Sequence, residues 1–335
     1  MHDRDHRVLI HRLSWVLLLV LLAFGHASLC SAQEVPPPQP LFQEIAGNPM
    51  IFEEGFLWVS IWRSNTVVKL WADDGKLTGS YRVGEAPMGL ASDGENIWVA
   101  NSGDATVTKL RALDGKTLGV FEAGSKPVAL LVTKDKKFVW VADQDANALR
   151  KLRASDGQTV GNYAVGGSPA ALASDGEYIW TLNTGNENIT KLLASNGTNL
   201  GNFPAGSAPT SLLFDGNNLW VASEENGTLL RLSPKDCTIL GRFRLPKHAS
   251  QISFDKKSIW VADRIDSRLF KVRPEDGSIL ASGPSVGRGE AMAYDAGYLW
   301  IVDSGRSYIG KLETDTAKMI AMFGVETPPP PPSQE

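Results

Sequence analysis

Ile97-Trp98-Val99-Ala100-Asn101 decides the fold, because the same stretch returns from end to end of the chain. Its tryptophan recurs as Trp58, Trp98, Trp140, Trp180, Trp220, Trp260 and Trp300, at gaps of 40, 42, 40, 40, 40 and 40 residues. Self-similarity at such a period marks a repeat architecture. Around the tryptophan each unit reads Pro-x-x-Leu-x-x-Asp-Gly-x-x-Ile-Trp-Val-Ala-Asn. A short polar stretch follows, then Thr-Val-x-Lys-Leu, a second Asp-Gly and Gly-x-Tyr-x-Val-Gly. In the second unit the pattern predicts strands over 87–92, 96–101, 106–111 and 117–123, joined by Asp93-Gly94 and Asp114-Gly115. β-Branched and aromatic residues fill these runs and turn residues separate them, which is strand rather than helix punctuation. Asp-Gly between two such runs is expected to be a hairpin turn with both residues at positive φ. Four antiparallel strands in one such repeat make one propeller blade. The expected fold is therefore all-β: a seven-bladed β-propeller of four-stranded antiparallel blades around a central channel.

Alternation orients the side chains. Ile97 and Val99 should face one side of the blade, and Trp98 and Ala100 the other. Both faces of a blade are covered by its neighbours, so the tryptophan is first an inter-blade packing residue. The first strand of each unit is built from small residues, as in Met88-Gly89-Leu90-Ala91 and Ala170-Ala171-Leu172-Ala173. That fits the innermost position, where blades crowd the axis. Trp62 and Trp71 stand outside the repeat.

The ends and the composition set the organisation of the 335 residues. Residues 1–32 read as an export signal: Arg4, Arg7 and Arg12 precede an apolar run over 13–24, with Ala32 at a small-residue cleavage point. The apolar core falls short of the roughly 20 residues of a spanning helix, so no stable membrane anchor is expected after cleavage. The mature chain is expected to be exported, periplasmic or secreted, and a monomer. Residues 33–40 and 326–335 are proline-rich, a linker and a tail that prefer solvated polyproline II. The propeller is expected over 41–325. Both 41–46 and 318–324 resemble the outermost strand, and either could complete the last blade. Removing the leader leaves 30 basic against 35 acidic residues and a single cysteine, Cys237, so no intrachain disulfide can form. Cys237 stands where other units place a turn glycine and is expected to be exposed.

The Ile-Trp-Val-Ala-Asn, Thr-Val-x-Lys-Leu and Asp-Gly pattern resembles the YVTN-type and NHL-like seven-bladed propellers. Exported propellers of the YncE kind and the virginiamycin B lyase group belong to that circle. The resemblance covers residues 41–325. It implies the fold, while activity on such a fold is grafted onto loops. The lyases carry a magnesium site with glutamate and histidine residues on late blades, and that set does not carry over. His248 is the one histidine left after the leader, and Glu290 is followed by Ala291 and Met292, with no Glu-x-His pair. The vicinal cysteine pair of the more distant quinoprotein dehydrogenases is also missing. Single-stranded nucleic-acid binding, known in the YncE kind, is opposed by the acidic balance and the lack of a basic aromatic groove.

A site is expected where the loops from second to third strand, and from fourth strand to the next blade, gather on one face. Three positions after each tryptophan stand Ile61, Asn101, Asp143, Asn183, Ser223, Asp263 and Asp303. Asn and Asp there cap turns or form a polar ring able to hold a channel cation or a polar ligand, and no other cofactor is indicated. Around that ring Asp143, Asp145, Glu187, Glu224 and Glu225 make one side acidic. Arg264, Arg268, Arg306, Lys247, His248 and Arg288 make the other basic, a two-signed docking surface. Trp62, Asn101, Asp143, Asn183, Asp263, Arg264, Arg288, Asp303 and Arg306 are the candidate ligand-binding residues. The leading functional expectation is a binding or scaffold protein for a protein, peptide or envelope polymer. A lyase or hydrolase at the channel mouth, with His248 and Glu290 as acid and base, is the alternative.

Overall fold

The computed structural model describes residues 49–245, 248–289, 291–303 and 308–324, with Asp303 described by its backbone alone. The expected leader, linker, first outer-strand segment (41–46) and tail lie outside the described residues. Within them the chain forms seven antiparallel sheets, each of four consecutive strands in sequence order. The blades span 50–82, 87–122, 127–164, 169–204, 209–244, 249–284 and 291–324. In blade two the strands are Pro87–Ser92, Asn96–Asn101, Thr106–Arg111 and Thr117–Glu122. The seven-bladed propeller is thus the observed fold. Blade seven takes Lys318–Gly324 as its own outermost strand, so its four strands come from one end of the chain.

Side-chain alternation makes each interface. Trp98 reaches forward to Val139, Val141 and Leu152 of blade three, while Ile97 and Val99 pack back against Trp58 of blade one. All seven repeat tryptophans are buried. Trp300 of blade seven lies among Met50, Leu57, Val59 and Ile61, which closes the ring by packing between the first and last blades.

Two polar devices repeat around this core. The lysine of Thr-Val-x-Lys-Leu crosses to the next blade and donates to backbone carbonyls there. Lys69 Nζ bonds Ala112 O at 2.7 Å, Lys151 Nζ bonds Ala194 O at 2.9 Å, and Lys191 Nζ bonds Pro234 O at 2.8 Å. Arg231 replaces it in blade five and bonds Pro274 O at 2.7 Å. Most of these ammonium groups also lie over their own blade's tryptophan, as Lys109 does over Trp98 at 4.8 Å. Burial pushes the Lys69 and Lys151 amines below the usual lysine range. The second device is the first aspartate of the unit. Trp98, Trp220 and Trp260 donate their indole N–H to Asp93, Asp215 and Asp255 at 3.0, 2.6 and 2.8 Å. Burial pushes the Asp93 carboxyl up, but donors from Trp98 and Asn96 and the N–H groups of Glu95 and Asn96 outweigh it and hold it low.

The Asp-Gly turns differ from expectation. In Asp114-Gly115 the glycine alone has positive φ, 69°, and its N–H donates to Arg111 O at 2.7 Å. Two consecutive positive φ values occur instead at Glu54-Gly55 and Ala296-Gly297. Glycine is needed at position 115 for a second reason. A Cβ there would fall 2.0 Å from the ring of Tyr81, which stacks on Trp58.

Cys237 corrects a further expectation. It holds the glycine's turn conformation at φ 54°, yet it is 3% exposed and packs in the cluster of Trp180 and Phe203. Trp180, from the preceding blade, stacks on Phe214 at 5.7 Å, where other blades use the outer-strand aromatic. The thiol is therefore sealed by the same aromatic that lies over the turn glycine elsewhere. Burial pushes its pKa up to about 11. An unfolded thiol ionises near 8.5, so this group's contribution to stability is complete below that pH and is lost as pH rises toward 11. In a Cys30→Ser chain, a disulfide-exchange reagent at pH 8 should leave native Cys237 unmodified and label it fully in denaturant. Rapid labelling of the folded protein would place the thiol at the surface.

Candidate functional site

The loops expected to share a face do so. Gly103 N donates to Glu85 O and Ser102 N to Ala86 O, and Val83 N to Asn65 O, tying the second-to-third loops of blades one and two to the crossing loop between them. The polar ring sits beneath these ties rather than on the surface. Asn101, Asp143, Asn183, Ser223 and Asp263 are all buried. Asn101 Nδ2 donates to Thr106 and Thr108 Oγ1 at 2.9 and 2.8 Å, and Asn183 Nδ2 to Asn188 and Thr190 at 2.8 Å each. Asp143 accepts from Ser125 N, Lys126 N and Arg150 Nε, and Asp263 from Ile265 N and Asp266 N. These side chains are occupied in fastening loops, which is the capping role of the two their residue types allow. Asn101 Oδ1, Asn183 Oδ1 and Asp263 Oδ2 remain buried without a partner among the described residues, in separate blades. Among the described residues no three His, Cys, Asp or Glu side chains come together.

The two-signed surface is also weaker than expected. Asp143 is spent internally, and Glu187 Oε1 accepts Ala208 N at 2.9 Å. Across the boundary of blades five and six, Arg264 Nη2 meets Glu224 Oε1 at 2.7 Å, neutralising one charge from each side. His248 Nδ1 is 3.8 Å from the same oxygen, so His248, Glu224 and Arg264 form one cluster. Arg288 is exposed. Glu290, Arg306, Lys247 and the Asp303 side chain lie outside the described residues, and with them the His248–Glu290 pairing.

Trp62 is placed differently. It begins a single 3-10 turn, Trp62–Ser64, ended by Asn65 in the left-handed conformation at φ 54°. Asn65 Oδ1 accepts Ala86 N at 3.0 Å, which fixes the turn against the crossing loop. The indole is half-buried and lines a cleft of about 480 Å³ with Arg63, Asn65, Glu85, Ala86 and Gly103. Equivalent positions in the next blades hold Ser102, Gln144, Thr184, Glu224 and Arg264. Ser102 and Thr184 use their hydroxyls on Ala86 O and Ser168 O. Blade one thus puts an aromatic where its neighbours put a polar fastener.

No family model matches the chain, and no curated protein matches it. Among solved structures, a streptogramin B lyase superposes with TM-score 0.68 at 18% identity, over 82% of this chain and 96% of that one. The virginiamycin B lyase of Staphylococcus aureus does so at TM-score 0.67 and 16% identity, over 79% and 94%. The fold is the seven-bladed propeller of these lyases. Kuenenia stuttgartiensis hydrazine synthase is similar to the same degree, with TM-score 0.67 at 13% identity over 86% and 98%. Neighbours so different in chemistry share the scaffold with this chain, and at these identities the likeness is one of fold.

Proposed function

We propose that this chain is an exported propeller that binds a protein, peptide or envelope polymer through its loop face, with Trp62 as the anchoring aromatic. The observation that carries the reading is the indole of Trp62 in the cleft between blades one and two, at a position the repeat reserves for polar residues. Aromatic anchors of this kind dominate binding because they desolvate a large apolar area at little entropic cost. Glu85 and Arg63 at the rim add orientation rather than affinity. The loops around it are tied by backbone bonds, so the surface is preorganised.

The test is retention of the mature chain on immobilised envelope fractions. Trp62→Ala should weaken retention about 30-fold, the loss of a hot-spot aromatic worth about 2 kcal/mol. Trp71→Ala serves as control, because Trp71 ends the third strand at the opposite, turn-bearing face and is also exposed. Equal retention of both variants and the parent overturns the reading. The alternative, a lyase or hydrolase, draws on His248 beside Glu224. There Arg264 already donates two guanidinium N–H groups to the oxygen that faces the imidazole.

A further inference from the structure

The central channel carries an asymmetry that the loop-face reading does not use. Each blade pairs its innermost strand on one side only, so the other edge of that strand, with its N–H and C=O groups, is turned to the axis. The resulting cavity measures about 520 Å³. Among the described residues, no Asp, Glu, Lys, Arg or His contributes to its lining. Most of its side chains are small or apolar, while the free strand edges supply polar surface. The residue before the inner leucine register reads Gly89, Ala129, Ala171, Ser211, Gln251 and Ala291 in blades two to seven.

Blades five and six break that wall. Ser211, Gln251 and Ser253 all line the cavity, and none makes a side-chain hydrogen bond with the described residues. Ser211 and Ser253 are each only 7% exposed. With no partner among the described residues, these two hydroxyls and the carboxamide turn their hydrogen-bonding capacity into the channel, side by side on adjacent innermost strands. The hydroxyl at the neighbouring Thr210 has partners, in Ala222 O and Ala249 O at 3.3 and 3.4 Å. At the turn end of the same cavity, Phe52, Phe254 and Tyr294 add aromatic surface.

We propose that the channel binds a small neutral saccharide against the seam formed by Ser211, Gln251 and Ser253. Neutrality follows from the lining. An ionised ligand there would meet no counter-charge among the described lining residues, at a cost of several kcal/mol. Two hydroxyls, a carboxamide and strand-edge N–H and C=O groups offer alternating donors and acceptors, which is what a set of sugar hydroxyls requires. The aromatic end suits the apolar face of a pyranose ring. Gln251 donates and accepts through one planar group, so an acetamido substituent is its best complement. The cavity is of a size that takes one or two sugar rings.

The experiment is calorimetric titration of the intact chain with N-acetylglucosamine, glucose and glucuronate. N-Acetylglucosamine is expected to bind saturably, and glucuronate at least about tenfold more weakly, as an unpaired charge requires. Gln251→Ala should weaken N-acetylglucosamine about tenfold, and the Ser211→Ala, Ser253→Ala double variant by a similar factor. Gln251→Leu repeats the test at matched length should the alanine variant fail to fold. Trp62→Ala should leave the titration unchanged, which separates this site from the loop face. The proposal is overturned by any of three results. They are no saturable binding of either neutral sugar at tens of millimolar, glucuronate binding as tightly as N-acetylglucosamine, or affinity untouched by both Gln251 variants. A short capped neutral peptide that titrates while the sugars do not overturns it as well.

Discussion

Lys311→Met is expected to destabilise the propeller by about 3 kcal/mol, more than the same change at any interior latch. Lys311 Nζ donates to Ala72 O at 2.7 Å and Asp73 O at 3.3 Å, joining blade seven to blade one across 239 residues of chain. It also lies over the rings of Tyr298 at 4.4 Å and Trp300 at 4.9 Å. Methionine keeps the aliphatic stem and removes the charge, so the loss measures the two charge-assisted bonds and the cation–π contact. The position matters as much as the bonds. Interior interfaces join blades that are also consecutive in the chain, whereas the first and last blades meet only through non-covalent contacts. Opening that seam exposes Trp300 and its partners together and frees a long loop. Lys109 makes the same kind of bond once, to Ala154 O at 2.9 Å, within consecutive blades. Its methionine variant should cost about 1.5 kcal/mol. Urea midpoints of the two variants, with Lys76→Met on an exposed turn as reference, decide the matter. A Lys311→Met midpoint no lower than that of Lys109→Met would refute the closing role.

What the sequence could and could not disclose follows from where each signal resides. The period of the tryptophans and the Asp-Gly punctuation are local, and they placed the four strands of blade two to within a residue. The lysine of Thr-Val-x-Lys-Leu was equally visible, but its partner lies some 43 residues on, as in Lys69 to Ala112, and only the assembled ring brings them together. Cys237 reads as a surface turn residue because turns are commonly exposed. Its burial depends on Phe203 from the preceding blade. Asn101 and Asn183 illustrate a subtler failure. Residue type signalled a polar role at the right position, yet the choice between ligand and cap was set by Thr106, Thr108, Asn188 and Thr190, which take up their amide hydrogens. Gln251 and Ser253 were legible only as departures from a small-residue register. Nothing in a single repeat says that such a departure faces the axis.

The tryptophans themselves divide into two energetic classes, although packing treats them alike. Trp260→Phe should cost about 2–3 kcal/mol, whereas Trp140→Phe should cost under about 1 kcal/mol. Both rings are buried, so the cavity left by shrinking indole to phenyl is comparable. The difference is the indole N–H. In blade six it donates to Asp255 Oδ2 at 2.8 Å, and Asp255 is itself 4% exposed. Phenylalanine there leaves a buried carboxylate short of a donor, with the Lys257 and Ser258 N–H groups on its other oxygen. In blade three the aspartate's place is taken by Thr133, whose hydroxyl is committed to Asp135 and Phe138, and Trp140 Nε1 is buried without an acceptor. Removing that N–H relieves a desolvation cost and offsets part of the cavity. Two comparisons then isolate the bond. Trp260→Phe should be strongly non-additive with Asp255→Ala, because each alone removes the same interaction. Thr133→Asp should raise stability in the parent, by giving Trp140 an acceptor, and lose that gain in a Trp140→Phe background. Equal midpoints for Trp260→Phe and Trp140→Phe in urea would mean that the ring alone, not the aspartate–indole bond, holds the blades in register.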